Sequence, residues 1–280
     1  MEQFRERTLI IATKHKKEEV IAPILERSLG VKIRVPEGLD TDRLGTFTGE
    51  VEREHDPITT MRYKCDMAME TTGADLAVAS EGSFGPHPTL MFVPADEEWL
   101  MLKDRRLGLE IKVRELSTDT NYAQAEVRTD AELLSFAERA LFPSHALIMS
   151  AGPEAVSDIR KGITDRKELM EAFAYYMQRY GCTYVQTDMR AMYNPTRMRV
   201  IARAAEVLIA RVQSLCPECS TPGYGVVRAV AGLPCSLCGS PTRSTLAYVS
   251  GCSFCGYEQQ QLYPTGRTTE EPLYCDHCNP

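Results

Sequence analysis

Eight of the ten cysteines stand after position 215, in four Cys-x-x-Cys pairs: Cys216/Cys219, Cys235/Cys238, Cys252/Cys255 and Cys275/Cys278. No other feature limits the fold so tightly. A Cys-x-x-Cys turn aims two thiolates at one point, and two such turns close a tetrahedral shell around a metal ion. The gaps, 15 residues between the first two pairs and 19 between the last two, match the spacing of Cys₄ zinc sites. Clustering of this kind belongs to metal ligands in a reducing compartment rather than to a disulfide framework. The sequence therefore predicts two structural Zn²⁺ ions. The spacing favours a sequential assignment, first pair with second and third with fourth. An interleaved arrangement, or a pairing of the second with the third, satisfies it too. With every position filled by protein, neither ion has an open site for catalysis.

From residue 213 to 280 helical periodicity is absent, and Cys, Gly, Pro, Ser and Thr dominate. A core this small needs a staple. The segment holds three arginines, Arg228, Arg243 and Arg267, and no lysine, while the whole chain carries a formal net charge of -7. That balance argues against a protein that coats nucleic acid. The module reads as a structural cap or a contact for a protein partner, with nucleic acid the less favoured partner.

Residues 1–212 interleave strands and helices. Strands are predicted at Thr8–Thr13, in VKIRVP, from Leu76, and at Leu90–Val93, Glu98–Leu102, Leu109–Leu116, Ala123–Val127, His145–Ala151 and Thr183–Met189. Helices are predicted at Lys17–Leu29, Ile58–Thr72, Ala131–Ala140, Lys167–Tyr180 and Thr196–Leu215. The fold class is therefore α/β: a mixed-sheet N-terminal domain (1–212) with flanking helices, then a small double Cys₄ zinc-ribbon-like module (213–280). With 280 residues and 43% hydrophobic content, a sizeable core is available. No run of about 18 apolar residues occurs, so no membrane span is expected. The first residues lack the apolar region of a signal peptide, which makes the cytoplasm the expected location.

Three polar stretches interrupt the α/β pattern. In DLAVASEGSFGPHP (Asp75–Pro88), Glu81 follows an apolar strand and precedes what reads as a Gly-Ser-Phe-Gly turn. A carboxylate sealing a strand end is costly unless paired or metal-bound. His87 there reads as a rigid loop residue between two prolines, or as a catalyst. Cys65, within a predicted helix, reads as core, or as a thiol nucleophile. In ATKHKKEE, Lys14, Lys16 and Lys17 stand near a helix N-terminus that favours anions. The same run also fits a solvated helix start with lysines paired to glutamates. In TDMRAMYNPTRMR, Asn194 and Pro195 suit a helix cap and first position, flanked by Arg190 and Arg197. Those arginines could grip a phosphate bidentately, or merely lace the link to the long helix.

In order along the chain, ATKHKKEEVIAPIL, DTDRLGTFTGEVER, MRYKCDMAMETTG and ADLAVASEGSF resemble the non-canonical purine nucleoside triphosphate pyrophosphatases, the inosine/xanthosine triphosphatase and Maf-like superfamily. The resemblance spans residues 8–88. Thr13 matches the turn Thr, Lys16 or Lys17 the Lys, and Glu50 or Glu54 the carboxylate of the second motif. Glu81 falls on the metal-binding or catalytic carboxylate. Lys14-His15 stands where that family has Gly-Asn, and its double Asp is absent. The chain as a whole also resembles a bacterial family of unknown function with a cysteine-rich C-terminal tail. What the first resemblance implies is hydrolysis of a nucleotide phosphate anhydride. Glu81, Glu50 and Asp42 would then hold Mg²⁺. Thr13, Lys14, Lys16, Lys17, Arg190 and Arg197 would bind the phosphates of a nucleotide or another phosphorylated substrate. The rival expectation is a non-enzymatic zinc-ribbon adaptor or ligand-binding protein.

Overall fold

The structure, a computed structural model, describes residues 1–36, 55–153, 155 and 157–280. It divides into two compact units, Met1–Ile209 and Ala210–Pro280. The first holds two sheets. Its five-stranded sheet has the order β2-β1-β3-β4-β5, from β1 (Thr8–Ala12), β2 (Lys32–Arg34), β3 (Leu76–Pro86), β4 (Pro94–Asp104) and β5 (Leu109–Ser117). β1 runs parallel to β2 and β3, while β3, β4 and β5 form an antiparallel meander.

Local chemistry fixes the helices on this sheet. Helix α1 (Glu18–Leu29) buries Ile21, Leu25 and Leu29, and ends at Gly30 in the left-handed region. Helix α2 (Pro57–Thr72) starts where the Asp56 carboxylate accepts from the backbone N–H groups of Ile58 and Thr59. It lays Met61, Cys65, Ala68 and Met69 against Ile10, Ala12, Ala77, Ala79 and Met101.

The second sheet, order β6-β9-β7-β8, joins β6 (Gln124–Val127), β7 (Leu147–Ser150), β8 (Ile159–Ile163) and β9 (Thr183–Thr187) through antiparallel pairs. Helices α3 (Asp130–Arg139) and α4 (Arg166–Tyr180) cover it with Leu133, Phe136, Phe173 and Tyr176. α3 opens on a reciprocal Thr129–Glu132 capping box and α4 on Asp165. Helix α5 (Pro195–Gln213) buries an apolar stripe through Val200, Ile201, Ala204, Ala205 and Leu208. The mixed α/β class read from the sequence stands, with five helices among the described residues. None of the described helices is long and apolar enough to cross a membrane.

Three elements depart from expectation. The Gly-Ser-Phe-Gly segment is not a turn: β3 continues through Glu81 to Pro86, paired residue for residue with β4 down to Pro86↔Pro94. Its glycines and carboxylate hide a strand because neither has strand preference. Leu90–Val93 is not a strand but the turn joining β3 to β4, where His87 Nδ1 accepts from the N–H groups of Thr89 and Leu90 (3.2 and 3.1 Å). Leu90, Met91 and Phe92 are exposed there. β8, IRKGI, was not foreseen, since adjacent charges and a glycine erase its alternation.

Buried His145 ties the second sheet to α5. Its Nε2 accepts from the Thr196 N–H (3.2 Å) and lies 2.9 Å from Thr196 Oγ1. Its Nδ1 lies 3.0 Å from Ser144 Oγ, which donates onward to the Leu141 carbonyl. A nitrogen that accepts from a backbone N–H carries no proton, so the ring is neutral with its hydrogen on Nδ1. Burial holds its pKa below the ordinary value. The unfolded chain therefore takes a proton first as the pH drops. The stability linked to His145 is present above about 6.5 and is lost below it. Denaturation at pH 7 and pH 5 should show a smaller fall in stability for His145→Gln than for the wild type.

Candidate active site and candidate metal centres

β1 leads into a strained turn. His15 and Lys16 both have positive φ, 65° and 63°, in a region that costs a non-glycine residue about 1–2 kcal/mol. The turn delivers the next residue, Lys17, into the protein interior. Lys17 Nζ donates to Ser80 Oγ (3.1 Å) and lies 3.7 Å from Glu98 Oε2. Burial pushes its pKa down to about 8, helped by Arg197 and Lys64 and opposed by Glu98 and Glu81. Thr13 follows the carboxyl end of β1, where parallel strands place their ligands, and Ser80 lies mid-way along β3, one residue beyond Ala79, the partner of the last residue of β1.

β4 contributes the carboxylates. Asp96 and Glu98, two residues apart, lie on one face of the strand, opposite Phe84 and Gly82 of β3. Both side chains are fully buried. Arg197, in the first turn of α5, donates from Nε to Glu98 Oε1 (2.6 Å) and also donates to the Met189 carbonyl. Its guanidinium stacks over Phe84, 4.9 Å from the ring centroid. The pair crosses above Gly82, where any Cβ would collide with Nη2 of Arg197 and Oε1 of Glu98. Gly82→Ala should destabilise the protein by about 1–3 kcal/mol in denaturant titration, an overpacking effect with no change of backbone preference.

Among the described residues, neither oxygen of Asp96 nor Oε2 of Glu98 has a hydrogen-bond partner. Leaving such an atom bare costs about 1–3 kcal/mol. Only a proton held between the two carboxyls would join them. Accordingly Asp96 is pushed up to about 8, by burial first and then by the charge of Glu98, against the pull of Arg197 and Lys17. With Asp96 protonated, the cations Lys17, Lys64 and Arg197 face the carboxylates Glu81 and Glu98. Among the described residues the cluster then carries one excess positive charge, which favours an anion. A buried acid and a buried amine that both titrate near neutrality are what proton-transfer chemistry requires.

The residues named from the sequence fall in different places. Lys17 and Arg197 join the cluster. Glu81 is buried and ion-paired with Lys64 of α2. Arg190 pairs with Asp188 (2.6 Å) and stacks on Tyr193. Lys16 is exposed, 3.6 Å from Glu19, and Thr13 donates to the Lys14 carbonyl (3.1 Å). Lys14 is half-buried. Asp42 and Glu50 lie outside the described residues. The α5 N-terminus offers no anion site, because Pro195 has no N–H, Thr196 donates to His145, and Arg197 donates to Asn194 Oδ1 (2.9 Å). Cys65 is inert core, its thiol pushed up to about 12 by burial. Asp96, Glu98 and Ser80 were missed. The available signal was Asp96 and Glu98 standing in the register of Leu100 and Leu102, carboxylates on the apolar face of a strand.

Only the cysteines, among the described residues, gather three or more metal-ligating side chains. The described carboxylates form no such group, and Glu81 pairs with Lys64. The cysteine sets are Cys216, Cys219, Cys252 and Cys255, and Cys235, Cys238, Cys275 and Cys278. Cross-pair Sγ–Sγ distances are 3.7 and 3.7 Å in the first and 3.9 and 3.7 Å in the second. A Zn–S bond of about 2.3 Å gives a tetrahedral edge of about 3.8 Å, so both sets fit a tetrahedral ion.

The pairing is interleaved, which corrects the sequential assignment. The reason is the meander of β10 (Gly225–Ala231), β11 (Thr245–Gly251) and β12 (Glu258–Leu262). Each Cys-x-x-Cys turn sits at a strand end, and successive turns alternate between the ends of the sheet. A seven-residue strand spans about 23 Å, so the pair before β10 cannot share an ion with the pair after it. The turns are built alike: the N–H after the second Cys donates to the first Cys carbonyl at 2.8–3.0 Å. That residue has positive φ at Ser220, Gly239 and Gly256. Replacing Cys216 and Cys252 together by Ser should leave one bound ion per chain, whereas replacing Cys216 and Cys235 should leave none. Atomic emission on the purified chain reads the difference from the two ions expected of the wild type.

These features define a mixed α/β protein with a buried cluster of carboxyls and cations and a β-sheet unit carrying two Cys₄ groups able to hold metal ions. The chain belongs to the family described as a domain of unknown function, DUF6671, whose model matches residues 64–280. That span includes Glu81, Asp96, Glu98, Arg197 and all eight paired cysteines, and begins after Lys17. No curated protein matches the chain.

Proposed function

We propose that the first unit is a cytoplasmic enzyme that hydrolyses a phosphate anhydride, with a nucleotide as substrate, and that two zinc ions hold the second unit together. The observation that supports this reading is the cluster beside the carboxyl end of β1, on the middle of β3 and the start of β4. There, among the described residues, buried cations outnumber ionised carboxylates, and three carboxyl oxygens lack a hydrogen-bond partner. Lys17 and Arg197 bind phosphoryl oxygens and offset charge that develops as the anhydride opens. Ser80 holds the Lys17 amine in place, and the Lys64–Glu81 pair stiffens the neighbouring wall. Zinc, when bound, supplies cross-links in place of a core and takes no part in the chemistry.

The experiment is a panel of nucleoside di- and triphosphates given to the purified full chain, with and without Mg²⁺, with release of phosphate and pyrophosphate measured. Lys17→Met should lower kcat/KM by about 100-fold or more while the chain stays folded. Failure to turn over any nucleotide, with both metal centres loaded, would sink the hydrolase reading.

A second reading, a protein adaptor, is favoured by Leu237 and Phe254, which stand 74% and 66% exposed inside two of the Cys-x-x-Cys turns. Apolar side chains at such tips suit a protein partner better than nucleic acid.

A further inference from the structure

We propose that Asp96 and Glu98 act as one acid–base pair sharing a single proton, Asp96 supplying a proton to the leaving oxygen and Glu98 taking one from the attacking water. This rests on the hydrolase reading and deepens it. The assignment comes from the geometry of four elements. Arg197 occupies Oε1 of Glu98, which fixes that carboxylate and leaves Oε2 without a hydrogen bond. Asp96 stands two residues away on the same face with both oxygens bare. Two buried carboxylates side by side cannot both ionise, so one keeps a proton. Glu98 has Arg197 and Lys17 beside it to stabilise its charge, whereas Asp96 has no ion pair among the described residues. The proton therefore resides on Asp96. Among the described residues the charged groups around the pair are Lys17 before α1, Lys64 of α2, Glu81 of β3 and Arg197 of α5, all tied into ion pairs, with Lys17 3.7 Å from Oε2 of Glu98.

The step balances. Water attacks phosphorus, forming a new P–O bond as the bond to the bridging oxygen breaks. The water proton passes to Oε2 of Glu98, and the Asp96 proton passes to the departing oxygen. Transfer of the proton from Glu98 to Asp96 restores the pair, with one water consumed. Nothing beyond substrate and water is required. Neither carboxylate was needed merely to fill space, since an apolar residue in the register of Leu100 would pack the same face without bare oxygens.

Two readouts test the pair on the full zinc-loaded chain. The first needs no substrate: carbon NMR of labelled aspartate, with Asp96→Asn identifying the resonance. The Asp96 carboxyl should be protonated at pH 6 and ionise near pH 8, and Glu98→Gln should move that ionisation downward by removing the neighbouring charge. An Asp96 already ionised at pH 6, or indifferent to Glu98→Gln, overturns the shared proton. The second is kinetic: Asp96→Asn should cut kcat by about 100-fold or more with KM little changed, and wild-type kcat should fall as pH rises through about 8. Unchanged kcat in Asp96→Asn overturns the catalytic role. If Asp96 titrates as expected but no nucleotide is hydrolysed by the wild type, the hydrolase reading fails and the catalytic assignment falls with it, while the shared proton stands.

Discussion

The ion pair between Arg197 and Glu98 is the contact on which the first unit's polar interior depends. It fastens the first turn of α5 to β4, and it passes over β3 only because residue 82 has no side chain. Burying such a pair gains little net stability, because desolvation offsets the attraction; removing one partner is what does damage, at about 3–5 kcal/mol. The pair is therefore better understood as a device for placing charge than as a source of stability. Around it the chain spends further free energy: a two-residue left-handed turn that turns Lys17 inward, and bare oxygens on Asp96 and Glu98. Backbone strain and unpaired carboxyl oxygens meeting in one buried cluster are what a functional site is expected to show.

The support for that place is distributed over both sheets. Asn194 and His145 satisfy the first backbone donors of α5, and His145 belongs to the segment leading into β7. The orientation of Arg197 is thus set by the second sheet, although its carboxylate partner belongs to the first. The same satisfaction of donors removes the α5 N-terminus from the anion-binding surfaces. What a helix start offers depends on whether its N–H groups are already used, which cannot be read from the presence of arginines nearby.

Much of the architecture was legible. Helices α1, α2, α3, α4 and α5 announce themselves through periodic apolar faces and caps, because those signals are local. Glu81–Pro86 was not legible as strand, since a partner strand rather than its own composition holds it extended. Leu90–Val93 failed in the opposite direction: its apolar residues top a turn. In the site, Lys17 and Arg197 could be singled out, being cations near element boundaries. Asp96 and Glu98 were hidden in the middle of PADEEWLML, where three acidic positions in a row look like a solvated strand start. Their meaning lies in which of the three alternate inward, and that depends on where α5 lands.

The cysteine unit teaches the same lesson about range. Each Cys-x-x-Cys turn is locally determined, down to the hydrogen bond onto its first carbonyl. Which turns share an ion is not, since spacing along the chain counts residues and ignores direction. Once three strands run antiparallel, alternate turns fall at the same end, and ions bound there would tie the sheet at both ends rather than one after the other along the chain. A metal at one end closes a loop that contains two strands and a turn of the other site. Each ion therefore restricts the unfolded chain over a longer loop than sequential pairing would, and loop-closure entropy grows with that length. For a unit with so little apolar core, the interleaved order is the one that draws more stability from the same two ions.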